Sequence, residues 1–355
     1  MKNNSGHIVI LIPGFAADEN DESCLPGLQS YPLSLMKITP DKLITIIAFH
    51  YPFISHSYLW NGIQVHSIGG KNKKYFFKVI TWIKVLGRFY KINRENRVSS
   101  IQSFWLRECT MIGLLLSKLH SINFIATLQG LESKRDNVYL KLFHFFDFKV
   151  VSGSQFNADV YQETTGKKCT KIIPFGLDEK KISTYNHLQK STRTIDIIGV
   201  GSLIPIKNYS LFLDIIHEVI VDFPQLRVVI VGGGVEQKML EQKAISLGLS
   251  KNIEFKGQEK SREKLMSLLG DAKILLHTSS HEGQCFAFLE ALSMGLHVVS
   301  FKVGYLPDTK KSHAFNSKSE MILELKKLLS STIDNSPEKI ISMDETSEEF
   351  NKILL

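Results

Sequence analysis

The stretch His277–Tyr305, HTSSHEGQCFAFLEALSMGLHVVSFKVGY, contains a strand end, a loop, a helix and the start of a second strand. The apolar run Ile274–Leu276 leads into it and predicts a buried strand, which a polar loop follows. Apolar residues at helical spacing predict a helix from Phe286 to Leu292, and Gly295 is placed to end it. The pattern therefore places one carboxylate in the loop and a second in the helix.

These two carboxylates, Glu282 and Glu290, accompany a predicted helix start. The free backbone N–H groups of Gln284, Cys285 and Phe286 point out of that start, where the helix dipole also favours negative charge. Each carboxylate can accept hydrogen bonds from a pair of adjacent sugar hydroxyls. The pattern favours an anionic ligand that bears hydroxyls. The alternative is that both glutamates lie on a solvated helix face.

The stretch resembles the Glu-x7-Glu motif of retaining glycosyltransferases of family 4. It reproduces the pattern E-G-x6-E-A-x3-G and the glycine after the next strand, with Glu282, Gly283, Glu290, Ala291, Gly295 and Gly304 in place. The resemblance implies a GT-B fold, in which two Rossmann-like, doubly wound domains face a cleft and C-terminal helices pack back across the domains. It also implies that Glu282 contacts the donor sugar, Glu290 the ribose of its nucleotide, and the amides after Gly283 the diphosphate.

Composition indicates a globular protein of two domains. The chain has 355 residues, 43% apolar and 22% charged, which is long for a single core. No run reaches the ~18 apolar residues of a membrane span, so we expect a cytoplasmic protein. The four cysteines, Cys24, Cys109, Cys169 and Cys285, are scattered and predict neither a disulfide framework nor a metal site. Cys285 is expected to be a packing residue rather than a nucleophile.

Strands alternate with helical segments in both halves of the chain, which argues for parallel, doubly wound sheets. No complete G-x-G-x-x-G follows the first strand, and this weakens a dehydrogenase interpretation. The strands are predicted at residues 7–12, 43–49, 63–68, 98–103, 123–128, 148–152, 195–200, 226–231, 253–257 and 274–278.

A polar run over residues 179–194 contains little that could form a core, so we place the domain boundary near Lys190. The resemblance then implies an N-terminal acceptor-binding domain (1–189) and a C-terminal nucleotide-sugar donor-binding domain (190–335). It also implies a terminal helix (336–355) that crosses back to the first domain, although a plain capping helix fits the amphipathic pattern equally well.

Two loops of the first half are candidates for ligand contact. Gly14 and Phe15 follow the first strand, where relatives face the donor phosphates, although a tight turn also explains Gly14. Gln129 stands where many relatives carry a histidine at a strand end. A glutamine can hydrogen-bond a sugar or acceptor hydroxyl, but it cannot serve as an ordinary acid or base.

In the second half, relatives often place an arginine and a lysine on the donor diphosphate. Lys207 keeps the lysine position, while Ser202 stands where the arginine would be and offers only a weaker hydrogen bond. The strand and loop ending at Gly257 resemble the segment that contacts the nucleotide base. The alternative for Lys207 is plain solvent exposure.

The net charge of +8 arises from residues 1–150, which hold 18 Lys and Arg against 10 Asp and Glu. Much of it lies in Lys71–Arg97, where basic residues alternate with many apolar ones. Two interpretations stay open: a core helix with a basic outer edge, or a surface that touches anionic lipid or a lipid-diphosphate acceptor. Nucleic acid is a third, but no binding motif accompanies the charge.

We therefore expect a retaining, metal-independent glycosyltransferase of hexosyltransferase type. The resemblance implies transfer from a UDP- or GDP-sugar to a hydroxyl of a glycan or lipid-linked acceptor, without a cofactor. The expected setting is bacterial surface polysaccharide or glycoconjugate synthesis, in the cytoplasm or at the inner face of the plasma membrane. Lys207 and the helix-start amides would stabilise charge on the departing diphosphate, with Glu282 beside the reacting sugar. The alternatives are another GT-B enzyme, such as a nucleotide-sugar epimerase, and a basic, non-catalytic protein that binds lipid or nucleic acid.

Overall fold

The computed structural model describes residues 6–22, 24–72, 76–134 and 136–354. The chain divides into two compact units, Met1–Gly176 with Ile341–Leu355, and Leu177–Ile340. The division falls before the boundary predicted near Lys190. The physical reason is that the polar run is not a free linker, because Ile182, Tyr185 and Leu188 pack against the core of the second unit.

The first unit is built on an eight-stranded sheet in the order β3-β4-β2-β1-β5-β6-β7-β8. All its pairings are parallel except β3 with β4, which form an antiparallel hairpin. The central strand is a continuous apolar run because both of its faces are covered. The strands are β1 His7–Gly14, β2 Leu43–Tyr51, β3 His56–Trp60, β4 Ile63–Ser67, β5 Ser100–Phe104, β6 Asn123–Leu128, β7 Lys149–Ser152 and β8 Lys171–Ile172.

The helices of the first unit include the last helix of the described chain. That helix, α12 (Met343–Leu354), packs on α1 (Pro26–Ile38), and Phe350 is fully buried with its ring centroid 5.2 Å from that of Tyr31 and 5.4 Å from that of Phe175. The bounds are α1 Pro26–Ile38, α2 Phe76–Glu95, α3 Glu108–His120, α4 Val138–Phe143, α5 Gln155–Thr165 and α12 Met343–Leu354. Lys73 and Lys74, from the basic segment, lie outside the described residues.

The second unit has a fully parallel six-stranded sheet in the order β11-β10-β9-β12-β13-β14. Its strands are β9 Ile195–Val200, β10 Val228–Val231, β11 Ile253–Gly257, β12 Ala272–His277, β13 His297–Phe301 and β14 Ser312–Phe315. Its helices are α6 Glu179–Ser183, α7 Tyr209–Val219, α8 Gln237–Ser246, α9 Arg262–Gly270, α10 Phe286–Ser293 and α11 Lys318–Leu329. The predicted architecture of two Rossmann-like α/β domains with parallel sheets is confirmed.

None of the helices in the described part of the chain is both long enough and apolar enough to cross a membrane.

Candidate active site

Two loops at the carboxyl ends of β9 and β12 are tied together in the second unit. The hydroxyl of Thr278 donates to the backbone oxygens of Lys207 and Asn208, at 3.1 and 3.0 Å. The hydroxyl of Ser279 donates to the backbone oxygen of Ile206 at 3.0 Å. These bonds fix the loop that carries Lys207 against the loop that carries Glu282. Ligands of open α/β sheets bind at such an edge.

Glu282 lies between two basic side chains. Lys207 Nζ is 2.5 Å from Glu282 Oε1, and His277 Nε2 is 2.9 Å from the same oxygen. Burial opposes ionisation of this carboxyl, but the hydrogen bond from His277 and the charge of Lys207 lower its pKa to about 2. Burial also opposes the charge of His277, yet Cys285 and Glu282 together raise its pKa to about 9. At neutral pH Glu282 is therefore a carboxylate, and it cannot donate a proton as an ordinary acid.

Glu290 has a different partner. It is 5% exposed on α10 and forms an ion pair with Arg262. Arg262 is the first residue of α9, whose N-cap Ser261 accepts a hydrogen bond from the backbone N–H of Lys264. Glu282 and Glu290 therefore bind separate basic side chains and share no hydrogen-bond partner among these contacts.

Gly304 makes room for Glu282. A Cβ at this glycine would lie 2.8 Å from the Cβ of Glu282, and its φ of +64° is unfavourable for other residues. The helix α10 begins at Phe286, as predicted, with Cys285 as its N-cap. Gly283 is buried in the same loop, and Gln284 is partly buried. The predicted amides of Gln284, Cys285 and Phe286 thus stand at a helix N-terminus beside Glu282.

The loop that carries Ser202 crosses the glycine turn after β10. Leu203 donates its backbone N–H to Gly233 at 3.0 Å, and a Cβ at Gly232 would lie 1.8 Å from the oxygen of Gly201. Only glycine permits this close approach. The side chain of Ser202 is exposed.

The predicted base-contacting residue, Gly257, joins the same crossing. Its oxygen accepts the backbone N–H of Gly232 at 2.8 Å. Ser202, Lys207, Gly257 and the start of α10 therefore all lie at the carboxyl ends of the strands in the sheet of the second unit.

The candidates of the first half lie in the other unit. Phe15 is 2% exposed, and its ring packs edge-on against Trp60 at 4.8 Å, so the side chain belongs to the core. A Cβ at Gly14 would be 3.1 Å from Cys24 Sγ. Gln129 donates its backbone N–H to Glu132 at 2.5 Å, while its side-chain Nε2 is buried without a hydrogen-bond partner.

Sequence reasoning missed His277 and Arg262 as site residues. His277 is the last residue of β12 and precedes the E-G-x6-E-A-x3-G pattern, which begins at Glu282. Arg262 is far from Glu290 in the sequence, and only the packing of α9 beside α10 joins them. The one available signal was that each glutamate needs a cation if it is to stay charged when buried.

Residues 184–348 match the family model of glycosyl transferases group 1. The matched region contains Lys207, Glu282 and Glu290, together with the cations that hold the two glutamates.

Curated relatives match parts of the chain. A phosphatidylinositol N-acetylglucosaminyltransferase subunit of Arabidopsis thaliana is 30% identical over 173 residues, which are 48% of this chain and 38% of that protein. Poly(ribitol-phosphate) alpha-N-acetylglucosaminyltransferase of Staphylococcus aureus is 25% identical over 147 residues, 38% of this chain and 29% of that one. The matched stretch thus covers well under half the length of either relative.

Solved structures match nearly the whole chain. Sucrose-phosphate synthase from Thermosynechococcus elongatus superimposes with a TM-score of 0.70 at 14% identity, covering 98% of this chain and 96% of that one. HepE of Anabaena, in complex with UDP and glucose, does so with a TM-score of 0.64 at 16% identity, covering 97% and 94%. The predicted GT-B fold is confirmed by these likenesses.

Proposed function

We propose that the chain is a retaining glycosyltransferase that transfers a sugar from a nucleotide-diphosphate donor to an acceptor hydroxyl. The observation that carries this proposal is the ionised Glu282 held by Lys207 and His277 beside the start of α10. A cation, the amides at a helix N-terminus and a fixed carboxylate suit a ligand that is a diphosphate at one end and a polyol at the other.

In the proposed reaction, Lys207 and the amides of α10 stabilise negative charge on the departing diphosphate. Glu282 accepts hydrogen bonds from donor-sugar hydroxyls, and Glu290 accepts them from the ribose. Because Ser202 supplies no fixed charge, more of the stabilisation falls on Lys207 than in relatives with an arginine. A donor phosphate oxygen takes the acceptor proton in a front-face mechanism, so neither a protein base nor a metal cofactor is required.

We propose that the donor is a UDP-sugar, with UDP-N-acetylglucosamine as the leading candidate. A GDP-sugar is the alternative donor. Support comes from the two curated relatives, whose names specify N-acetylglucosaminyl transfer, and from the Anabaena structure that contains UDP. The acceptor would be a hydroxyl of a glycan or lipid-linked molecule in bacterial surface polysaccharide or glycoconjugate synthesis.

We also propose that α2 contacts anionic lipid at the inner face of the plasma membrane. Its inner face is in the core, where Val85 and Phe89 are fully buried. Its outer face exposes Ile83 and Tyr90 by 62% and 65% beside Lys84 and other cations. Exposed apolar residues next to cations suit a lipid interface, whereas a nucleic-acid backbone needs only the cations.

Thermal unfolding with a panel of ligands tests the donor assignment. We expect the cognate nucleotide or nucleotide sugar to raise the Tm, since a ligand at 100 times its Kd adds about 2.7 kcal/mol. The same ligand should shift the Lys207→Ala variant less. If neither uridine nor guanosine diphosphates or their sugars shift the Tm, the proposal fails.

Product analysis separates transfer from epimerisation. A transferase releases the free nucleoside diphosphate and leaves the sugar on the acceptor. An epimerase that keeps the sugar attached to the nucleotide yields only a nucleotide sugar of altered configuration. Recovery of epimerised nucleotide sugar without transferred sugar would contradict the proposed glycosyl transfer and support the epimerase alternative.

A further inference from the structure

Three side chains with different donor atoms converge in the second unit. His277 Nε2, Glu282 Oε1 and Cys285 Sγ bring nitrogen, oxygen and sulfur within 4.8 Å of one another. Nε2 is 2.9 Å from Oε1 and 4.0 Å from Sγ. The scattered cysteines predicted no metal site, because ligands that the fold assembles leave no regular spacing in the sequence.

We propose that His277, Glu282 and Cys285 form a binding site for a thiophilic divalent cation, with Zn²⁺ as the reference ion. Zn²⁺ binds imidazole nitrogen, thiolate sulfur and carboxylate oxygen, and three such ligands leave a fourth position open. Calcium and magnesium bind oxygen almost exclusively, so this set of donor atoms discriminates against them.

The distances suit a tetrahedral ion. Bonds of about 2.0 Å to nitrogen and 2.3 Å to sulfur place neighbouring ligand atoms roughly 3.5 Å apart. The observed separations of 2.9 and 4.0 Å lie on either side of this value. A bound ion would therefore require each of these separations to change by only about half an ångström.

The three ligands are preorganised by their surroundings. They are 4%, 9% and 6% exposed, in the order His277, Glu282, Cys285. The imidazole packs edge-on against the ring of Phe288 at 5.0 Å, and the backbone of Gly304 lies against Glu282. Little side-chain entropy is lost when an ion binds such a site.

Lys207 competes with the metal ion for Glu282. Its ammonium lies 2.5 Å from Glu282 Oε1, the oxygen that the cation would take. Binding therefore displaces Lys207 from Glu282. If the proposed function holds, Zn²⁺ is an inhibitor of the enzyme rather than its cofactor.

The test uses the intact, metal-free protein, titrated with Zn²⁺ against a chromophoric chelator and, separately, with Co²⁺. We expect one ion per chain and a sulfur-to-cobalt charge-transfer band in the near ultraviolet. Cys285→Ala should abolish that band and weaken Zn²⁺ binding roughly ten-fold or more, since a ligand is lost. The matched control, Cys169→Ala, removes a partly buried cysteine of the first unit and should change neither.

Lys207→Met provides the sharper test, because it should bind Zn²⁺ several-fold more tightly once the competing cation is gone. Unchanged binding in Cys285→Ala, weaker binding in Lys207→Met, or no charge-transfer band in the wild-type protein would each overturn the proposal. None of these measurements requires glycosyl transfer, so they stand apart from the test of the proposed function.

Discussion

Glu282 and Glu290 differ in what surrounds them, although the sequence presents them as one motif. Glu282 is held by Lys207 and His277, and Glu290 by Arg262. The motif predicted where the carboxylates stand in the chain, because strand and helix periodicity carry that information. It could not predict the cations, because His277 and Arg262 reach the glutamates only through packing.

Substitutions of Lys207 and of Glu290, two residues of the proposed donor site, should change different kinetic constants. Lys207→Ala removes charge that acts on the leaving group, so we expect kcat to fall by about 10² to 10³. Glu290→Ala removes hydrogen bonds to the bound nucleotide, so donor KM should rise by about ten-fold to a hundred-fold with a smaller change in kcat. Steady-state kinetics with varied donor measures both.

A lysine outside the site serves as the control for that experiment. Lys190 forms an ion pair with Asp271 at 2.8 Å in the same unit, half exposed to solvent. Lys190→Ala should leave both constants unchanged. Equal kinetic losses in Lys190→Ala and Lys207→Ala would show that the effect is one of stability.

Gly304 offers a second prediction, with a matched control in Gly248. Both have positive φ, +64° and +73°, but a Cβ at Gly248 would meet nothing within 4 Å. Alanine at either position should cost about 1–2 kcal/mol of unfolding free energy from backbone strain. Only Gly304→Ala should also displace Glu282 and weaken nucleotide-sugar binding, measured by calorimetry. Equal nucleotide-sugar binding by the two variants would contradict the role of Gly304 in positioning Glu282.

Among the elements, those with a strong apolar period were predicted and the irregular ones were not. The helix α10 begins at Phe286 as its apolar period predicts, and Gly295, with a φ of +80°, follows its end. The helix α1 was missed because it begins at Pro26 and contains Pro32, which normally interrupts a helix. It forms where the last helix of the described chain, α12, covers it.

A pair of histidines on β13 and β14 should make the stability of the second unit sensitive to acid. His297 Nδ1 lies 3.0 Å from His313 Nε2, near Lys311, Lys327 and the carboxylates of Glu324 and Asp334. Burial, with the charges of His313 and Lys311, lowers the pKa of His297 to about 4. Between pH 6.5 and 4 the unfolded chain therefore binds a proton that the folded chain does not, so stability falls as the pH falls.

Replacement of His297 tests this dependence. Denaturant unfolding of His297→Gln at about pH 7.5 and about pH 4.5 should show a smaller loss of stability on acidification than the wild-type protein. The exposed His217 provides the control variant, His217→Gln, which should follow the wild type. An identical pH response in His297→Gln would remove the histidine pair as the cause.

In the whole molecule, the second unit was predicted more fully than the first. Its candidate site residues lie in loops at the carboxyl ends of the parallel strands, and the motif contains Glu282, Glu290 and the start of α10. In the first unit, Phe15 is a core residue because the hairpin β3–β4 places Trp60 against it. The dipeptide Asn61-Gly62 marks that hairpin turn in the sequence, but a turn does not specify which ring its strand will cover. The domain boundary was placed late because a polar segment can still bury a few apolar side chains.

Membrane attachment is a property that α2 should confer on the intact protein. We expect sedimentation with vesicles that contain anionic lipid and much less with neutral vesicles, because the cations and Ile83 act together. Ile83→Ser should weaken this binding. Ile245, 67% exposed on α8 of the second unit, provides the control variant Ile245→Ser, which should bind as the wild type does.

The helix α12 joins the two ends of the described chain in one unit. Phe350→Ala should lower the unfolding free energy of the first unit by about 3–5 kcal/mol, because a fully buried ring is removed. The exposed Leu323, on α11, gives the control Leu323→Ala, for which little change is expected. Hydrogen exchange resolves which unit loses protection; loss confined to Leu177–Ile340 would contradict this role.

The position of α12 also sets the order of events on the ribosome. Residues of the first unit up to Gly176 emerge early, but Tyr31 and Phe175 gain Phe350 as a neighbour only after the whole second unit has been synthesised. Until then the rings of Tyr31 and Phe175 lack the contact with Phe350, whereas the second unit is continuous in sequence and can fold once it has been synthesised. Transiently exposed apolar surface favours aggregation, so we expect the first half of the chain to be most prone to aggregate before Phe350 has been synthesised.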